Sequence, residues 1–67
     1  MQVTDTPTKD IDTRWGIFEI PAEESLIIAA STSGTFIDYC FGVDAENFKA
    51  ELSLKGYDLD FIEFHEF

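Results

Sequence analysis

The sequence predicts a small α+β domain in which a mixed four-stranded sheet, in the order β-β-β-α-β, carries one helix packed on one face. Three observations favour this class. Short runs of strand-forming residues are separated by turn residues in the first part of the chain. A later segment has apolar residues at helical spacing, and an aromatic segment follows it. The length of 67 residues allows one domain.

The composition indicates a folded chain despite its acidity. Disordered acidic segments lack aromatic residues, whereas this chain has seven Phe, two Tyr and one Trp. Each buried aromatic side chain removes roughly 150–250 Å² from water. We expect a flexible acidic tail over residues 1–12, which are mostly polar, and a single domain over residues 13–67.

The first three predicted strands follow from local signals. Residues 15–20 are rich in strand formers and end before Pro21. Residues 25–31 form a second strand, and residues 32–34 supply a turn that predicts a hairpin with a third strand over residues 35–41. This third strand alternates between two faces, with Ile37, Tyr39 and Phe41 on one and Phe36, Asp38 and Cys40 on the other.

The helix is predicted between Asp44 at its N-cap and a stop at Lys55 and Gly56. Its apolar stripe consists of Ala45, Phe48 and Leu52. A helical crossover should return the last strand parallel to residues 35–41 and place it beside the first strand. The sheet face opposite the helix would then be open to solvent or to a partner.

The last segment, residues 57–67, changes the parity of its apolar residues near positions 61 and 62. A strand has a side-chain period of two, so it cannot make this change and keep one buried face. Two alternatives stay open. A bulge near these positions resets the register, or another chain covers the strand and contacts Phe64 or Phe67.

The residues that could carry chemistry are isolated. Asp58 and Asp60 would lie about 6–7 Å apart on one strand face, but Ile62 and Phe64 interrupt the pattern of a calcium loop. The chain has one His and one Cys, so neither a catalytic set nor an internal disulfide is indicated. We expect no enzyme activity, no metal and no cofactor.

The charge restricts the partners. Fourteen acidic and four basic residues give a net charge of −10, which disfavours direct contact with nucleic acid or an anionic membrane and favours a basic protein surface. No apolar run reaches the length of a signal peptide or of a membrane span. We therefore expect a cytoplasmic protein.

These observations predict a non-catalytic acidic module that occupies the nucleic-acid-binding surface of another protein, because carboxylates can imitate phosphates to Lys and Arg. In type, the chain resembles small viral anti-defence proteins that inhibit a nuclease, a restriction system or a CRISPR effector. Holding ten net charges on a small body costs stability, which favours a functional role for the acidity over solubility alone. The predicted partner-binding residues are Asp58, Asp60, Glu63, Glu23, Glu24, Glu46 and Glu51.

The alternative function is a small homo-oligomeric assembly protein, for instance a homodimer, in which the acidity serves only solubility. A chain of this length has a small core, and self-association is one way to supplement it. The predicted self-association residues are Phe36, Phe64 and Phe67.

Overall fold

The computed structural model describes residues 7–67, which form five strands and one α-helix in three layers. The α+β class and the helix on one face of a sheet are confirmed. The elements are β1 (Thr8–Thr13), β2 (Gly16–Pro21), β3 (Leu26–Ser31), β4 (Phe36–Phe41), α1 (Ala45–Leu54) and β5 (Ile62–Glu66), with short 3-10 turns at Gly42–Asp44 and Leu59–Phe61.

Strand β3 lies at the centre of the molecule and is covered on both faces. It pairs antiparallel with β4 on one side and with β5 on the other. Its residues 26–30 are all buried, because alternate side chains enter two different cores. On the helix face, Ile27 and Ala29 pack with Phe48, Leu52 and Ile62.

The second core lies between β3 and a separate two-stranded sheet. Strands β1 and β2 form an antiparallel hairpin, and Ile20 of this hairpin packs with Leu26 and Ile28 of β3. The expectation that the sheet face opposite the helix is open is therefore wrong. The hairpin covers it, with Ile11 and Phe18 at the margin of this core.

The strand pairing differs from the predicted mixed sheet. The last strand runs in the same direction as β4, as predicted, but it pairs with β3 and not with β2. The four-stranded mixed sheet is thus replaced by a three-stranded antiparallel sheet and a hairpin. The physical reason is that β2 packs across the face of β3, with Ile20 against Leu26 and Ile28, which leaves the second edge of β3 to β5.

Strand β1 falls within the predicted tail. Residues 8–12 belong to this strand, so the prediction of a tail is wrong for them, while residues 1–6 lie outside the described residues. Ile11 is the residue of β1 that packs against the core, and the rest of the strand is polar. The sequence of β1 therefore resembles that of a tail. The hairpin continues past β2, where the Ala22 N–H donates to the Pro7 carbonyl at 2.9 Å.

The helix and the β3–β4 hairpin of the three-stranded sheet form as predicted. Phe48 and Leu52 are buried, and Gly56 ends the helix with a φ of 98°. Asp44 occupies the N-cap position, but its side chain makes no capping hydrogen bond. Residues 32–34 connect β3 and β4 as predicted, and the Gly34 N–H donates to the Ser31 carbonyl at 2.8 Å.

The parity change in the last segment coincides with a boundary between two elements. Residues 59–61 form a 3-10 turn, and β5 begins only at Ile62, so a strand bulge is not needed. Phe61 is 65% exposed, whereas Ile62 is buried against the helix. Phe64 also lies on the helix face, where its ring meets Phe48 edge-on at a centroid distance of 6.1 Å.

Trp15, at the tip of the β1–β2 hairpin, connects the hairpin to the larger sheet. Its Nε1 donates a hydrogen bond to the Gly34 carbonyl at 2.9 Å, in the turn between β3 and β4. Its ring also meets His65 of β5 edge-on, with the centroids 5.2 Å apart. One side chain thus contacts both the β3–β4 turn and β5.

No helix within residues 7–67 is long and apolar enough to cross a membrane.

Candidate protein-interaction surface

Most acidic side chains within residues 7–67 are exposed, and none of them contacts a Lys or Arg side chain. All but Asp5 of the fourteen acidic residues lie within the described part of the chain, and of these only Glu24 and Asp38 are half-buried. Among residues 7–67, the only Lys, Arg or His side chain in contact with a carboxylate is that of His65, whose Nε2 lies 3.3 Å from Glu63 Oε1. None of the described carboxylates is therefore paired with a Lys or Arg side chain.

Two of the four basic side chains contact aromatic rings instead. The Arg14 guanidinium lies 5.3 Å from the centroid of Trp15, and Lys49 Nζ lies 5.0 Å from that of Phe64. Such contacts are favourable, but they leave the negative charge of the carboxylates without compensation.

The outer face of the β1–β2 hairpin brings like charges together. Asp10 is directly opposite Glu19 in the register, and Asp12 lies on the same face of β1 as Asp10. Like charges at directly opposed positions destabilise a hairpin. A hydrogen bond from Thr8 Oγ1 to Glu19 Oε2 at 2.8 Å orients one of these carboxylates.

The predicted partner-binding residues are distributed over four parts of the structure. Glu23 and Glu24 lie in the connection between β2 and β3, and Glu46 and Glu51 lie on α1. Glu63 lies on β5, beside His65.

Asp58 and Asp60 do not share a strand face, contrary to the sequence prediction. They lie at the 3-10 turn, where Asp58 Oδ1 accepts a hydrogen bond from the Asp60 N–H at 3.0 Å. The Asp58 side chain thus stabilises a turn at this position. The alternation of apolar and acidic residues alone had predicted a strand here.

A groove lies along the outer side of β4, where it meets the start of α1. One part has a volume of about 360 Å³, and an adjoining part of about 380 Å³ shares four of its lining residues. We call the whole depression the β4 groove; its acidic residues are Asp38, Asp44 and Glu51. Of the predicted site residues, only Glu51 lines it.

A bulge in β4 creates a second surface that the sequence pattern misses. The register pairs Tyr39 with Ile28 and Asp38 with Ala29, but then pairs Phe36 with Ala30, so that Ile37 is the extra residue. Phe36 therefore shares a face with Tyr39 and not with Asp38, and the predicted alternation is wrong at this point.

The rings gathered by this bulge form a continuous cluster beside the hairpin. Phe18 lies 6.0 Å from Phe36 and 5.4 Å from Tyr39, and Tyr39 lies 6.5 Å from Phe41, measured between ring centroids. We call these four residues the aromatic face. Phe36 and Tyr39 are 38% and 45% exposed, so part of the cluster is accessible to a partner.

The predicted self-association residues have different environments. Phe36 belongs to the aromatic face, and Phe67 is 42% exposed after the end of β5. Phe64 is half-buried on the helix face, in contact with Phe48 and Lys49 of its own chain.

The described residues contain no group of three or more His, Cys, Asp or Glu side chains placed to hold a metal ion. The carboxylates of the β4 groove are thus arranged along a surface and do not converge on one point.

Cys40 lies in the β4 groove, and its thiol reports on the local charge. Burial raises the pKa of this thiol above its ordinary value of 9.0, and the negative charges of Asp44 and Asp38 raise it further. Folding therefore favours the protonated thiol. The contribution of the protonated Cys40 thiol to the free energy of unfolding is fully present below pH 9.0. This contribution is lost as the pH rises through the folded-state pKa.

We expect the free energy of unfolding of the wild-type protein, relative to that of Cys40→Ala, to fall as the pH rises above 9.0. Taking the difference between the two proteins cancels the contribution of every other group that titrates in this range. Urea titrations of both proteins at a series of pH values measure the difference. A difference that stays constant across this range would contradict the charged, partly desolvated environment of Cys40.

No protein-family model matches the chain, and no match was found among curated proteins or among solved structures.

Proposed function

We propose that this protein is a non-catalytic acidic module that binds a basic, nucleic-acid-binding surface of another protein. One observation carries the proposal: within residues 7–67, exposed carboxylates have no Lys or Arg partner in the same chain. Their charge is therefore available to cationic side chains of a partner, which a carboxylate contacts much as a phosphate does.

The distribution of charge supports the proposal beyond the net value. Asp10 faces Glu19 across the hairpin, and Asp38, Asp44 and Glu51 line one groove. Both arrangements concentrate like charge, which opposes folding of a small domain. A basic partner would relieve this repulsion on binding, and the association would be fast and sensitive to salt.

The class of partner that fits is a nucleic-acid-processing protein, such as a nuclease, a restriction enzyme or a CRISPR-type effector. Such proteins present extended basic surfaces that bind a phosphate backbone without reading its sequence. Occupying that surface would inhibit the partner, as an anti-defence protein of a virus does in the cytoplasm.

A second candidate function is assembly of identical copies. In the three-stranded sheet, β4 and β5 each have one edge without a neighbour among the described strands, and Phe36 and Phe67 are partly exposed. Open edges favour association between sheets. Under this alternative the acidity only keeps the assembly in solution.

We expect the immobilised protein to retain basic nucleic-acid-binding proteins from a lysate at low salt, and to release them when salt or duplex DNA is added. The reason is that DNA competes for the same cationic surface. The matched control is an unstructured Glu/Gly peptide with the same net charge of −10, which presents the charge without the fold.

Retention by the folded protein but not by the peptide, with release by DNA, would support the proposal. Equal retention by both baits would show simple ion exchange and would contradict it. If nothing is retained and light scattering reports a stable dimer, the assembly alternative is favoured.

A further inference from the structure

The outer edge of β4 has backbone groups that pair with no described strand. The Gly42 N–H donates to the Ser25 carbonyl at 2.9 Å, which makes these two residues a hydrogen-bonded pair. Such pairs alternate along an antiparallel ladder, so Cys40 and Asp38 direct their backbone groups towards β3. The N–H and C=O groups of Tyr39 and Phe41 consequently point away from β3, where no described strand pairs with them.

One of these outward N–H groups, that of Tyr39, is already hydrogen-bonded to the Asp38 side chain in the free protein. Asp38 Oδ1 accepts this hydrogen bond from the Tyr39 N–H at 2.8 Å. A charged side chain at an open edge discourages pairing with another strand. A cation near Asp38 would attract the carboxylate and free the Tyr39 N–H, so this protection is weakest against a basic partner.

The two faces beside this edge differ in chemistry. The helix face carries the carboxylates of the β4 groove, Asp38, Asp44 and Glu51. On the opposite side of the sheet, β4 contributes Phe36, Tyr39 and Phe41 to the aromatic face, and Tyr39 is 45% exposed. A strand added to β4 would alternate its side chains between these two faces.

From this geometry we infer that the partner contributes an extended segment that adds antiparallel to β4, with basic side chains in the β4 groove and apolar side chains on the aromatic face. The inference rests on the proposed function, because it specifies how the basic partner is held. Backbone hydrogen bonds would supply affinity, and the alternation of basic and apolar residues would supply specificity. A second copy of the chain is disfavoured at this edge by the net charge of −10 on each copy.

A six-residue peptide of alternating lysine and valine, blocked at both ends, is the probe. In the proposed alignment two of the valines lie opposite Tyr39 and Phe41 and direct their N–H groups towards β4, whereas the lysines beside them direct their N–H groups away. Backbone N-methylation of the valines removes the donors that face β4. N-methylation of the lysines removes the same number of donors from the other edge and is the matched control.

We expect the valine-methylated peptide to bind at least about tenfold more weakly than the parent peptide, and the lysine-methylated peptide to bind like the parent. Amide NMR titration measures the affinities. Hydrogen exchange of the Tyr39 and Phe41 amides should slow when the parent peptide is bound.

Equal binding of the two methylated peptides, or of a peptide with three lysines followed by three valines, would overturn the inference. If that equal binding is salt-sensitive, the proposed function survives, because charge alone would then suffice. If no peptide binds at low salt, the inference is also overturned, and the lysate experiment decides the proposed function separately.

Discussion

Ile28→Ala is expected to lower the free energy of unfolding by about 2–5 kcal/mol. Ile28 is completely buried in the middle of β3, where it packs with Ile20 and Leu26 between the two sheets. The alanine would leave a cavity that two flanking strands and a hairpin cannot close. A domain of this length has a small stability margin, so a large part of the population would unfold.

Urea denaturation followed by circular dichroism measures this change. The matched control is Ile17→Ala, because Ile17 is 70% exposed on the outer face of the hairpin. Its truncation should change the free energy of unfolding by less than about 0.5 kcal/mol. Similar effects of the two substitutions would show that the core between the hairpin and β3 is not formed as described.

The second large effect is expected on binding. The triple variant Asp38→Asn, Asp44→Asn and Glu51→Gln neutralises the acidic residues of the β4 groove. We expect it to lower the affinity for a basic partner roughly ten- to a hundredfold at low salt. Each substitution keeps the shape of the side chain and removes one charge that a cation would contact. The salt dependence of the affinity should become shallower for the same reason.

The control for this variant removes the same charge from another surface. Asp10→Asn, Asp12→Asn and Glu19→Gln neutralise the outer face of the hairpin and leave the β4 groove intact. Titration of the retained partner with both triple variants separates a local site from net charge. An equal loss of affinity in the two would indicate that only the total charge matters, and no loss in either would contradict the proposed function.

The elements that the sequence predicts correctly are those whose signals are local. The stripe of Phe48 and Leu52 and the stop at Gly56 lie within one helical segment. The turn at residues 32–34 lies between two apolar runs that pair with each other. In both cases the information needed is contained in about ten consecutive residues.

The remaining features of the fold depend on contacts between distant residues. Strand β1 offers the core little beyond Ile11, so its pairing with β2 decides its structure. The position of β5 beside β3 depends on which edge is free after the hairpin has formed. The bulge at Ile37 leaves no signal in residues 35–41, because apolar residues occupy both faces of this segment.

The candidate site shows the same division. Acidic composition correctly indicates exposed carboxylates, since carboxylates without partners are costly to bury. It does not indicate which of them are neighbours. Asp38 and Glu51 line the same groove because β4 and α1 pack together, and these residues are 13 positions apart in the sequence.

The position of the single tryptophan makes the protein its own fluorescent reporter. Trp15 contacts Gly34 and His65, so its emission should respond when the hairpin leaves the larger sheet. Circular dichroism in the far ultraviolet, by contrast, follows mainly the helix on the opposite face. Coincident curves from the two probes would indicate that both layers are lost in one cooperative step, and an earlier fluorescence change would indicate that the hairpin detaches first.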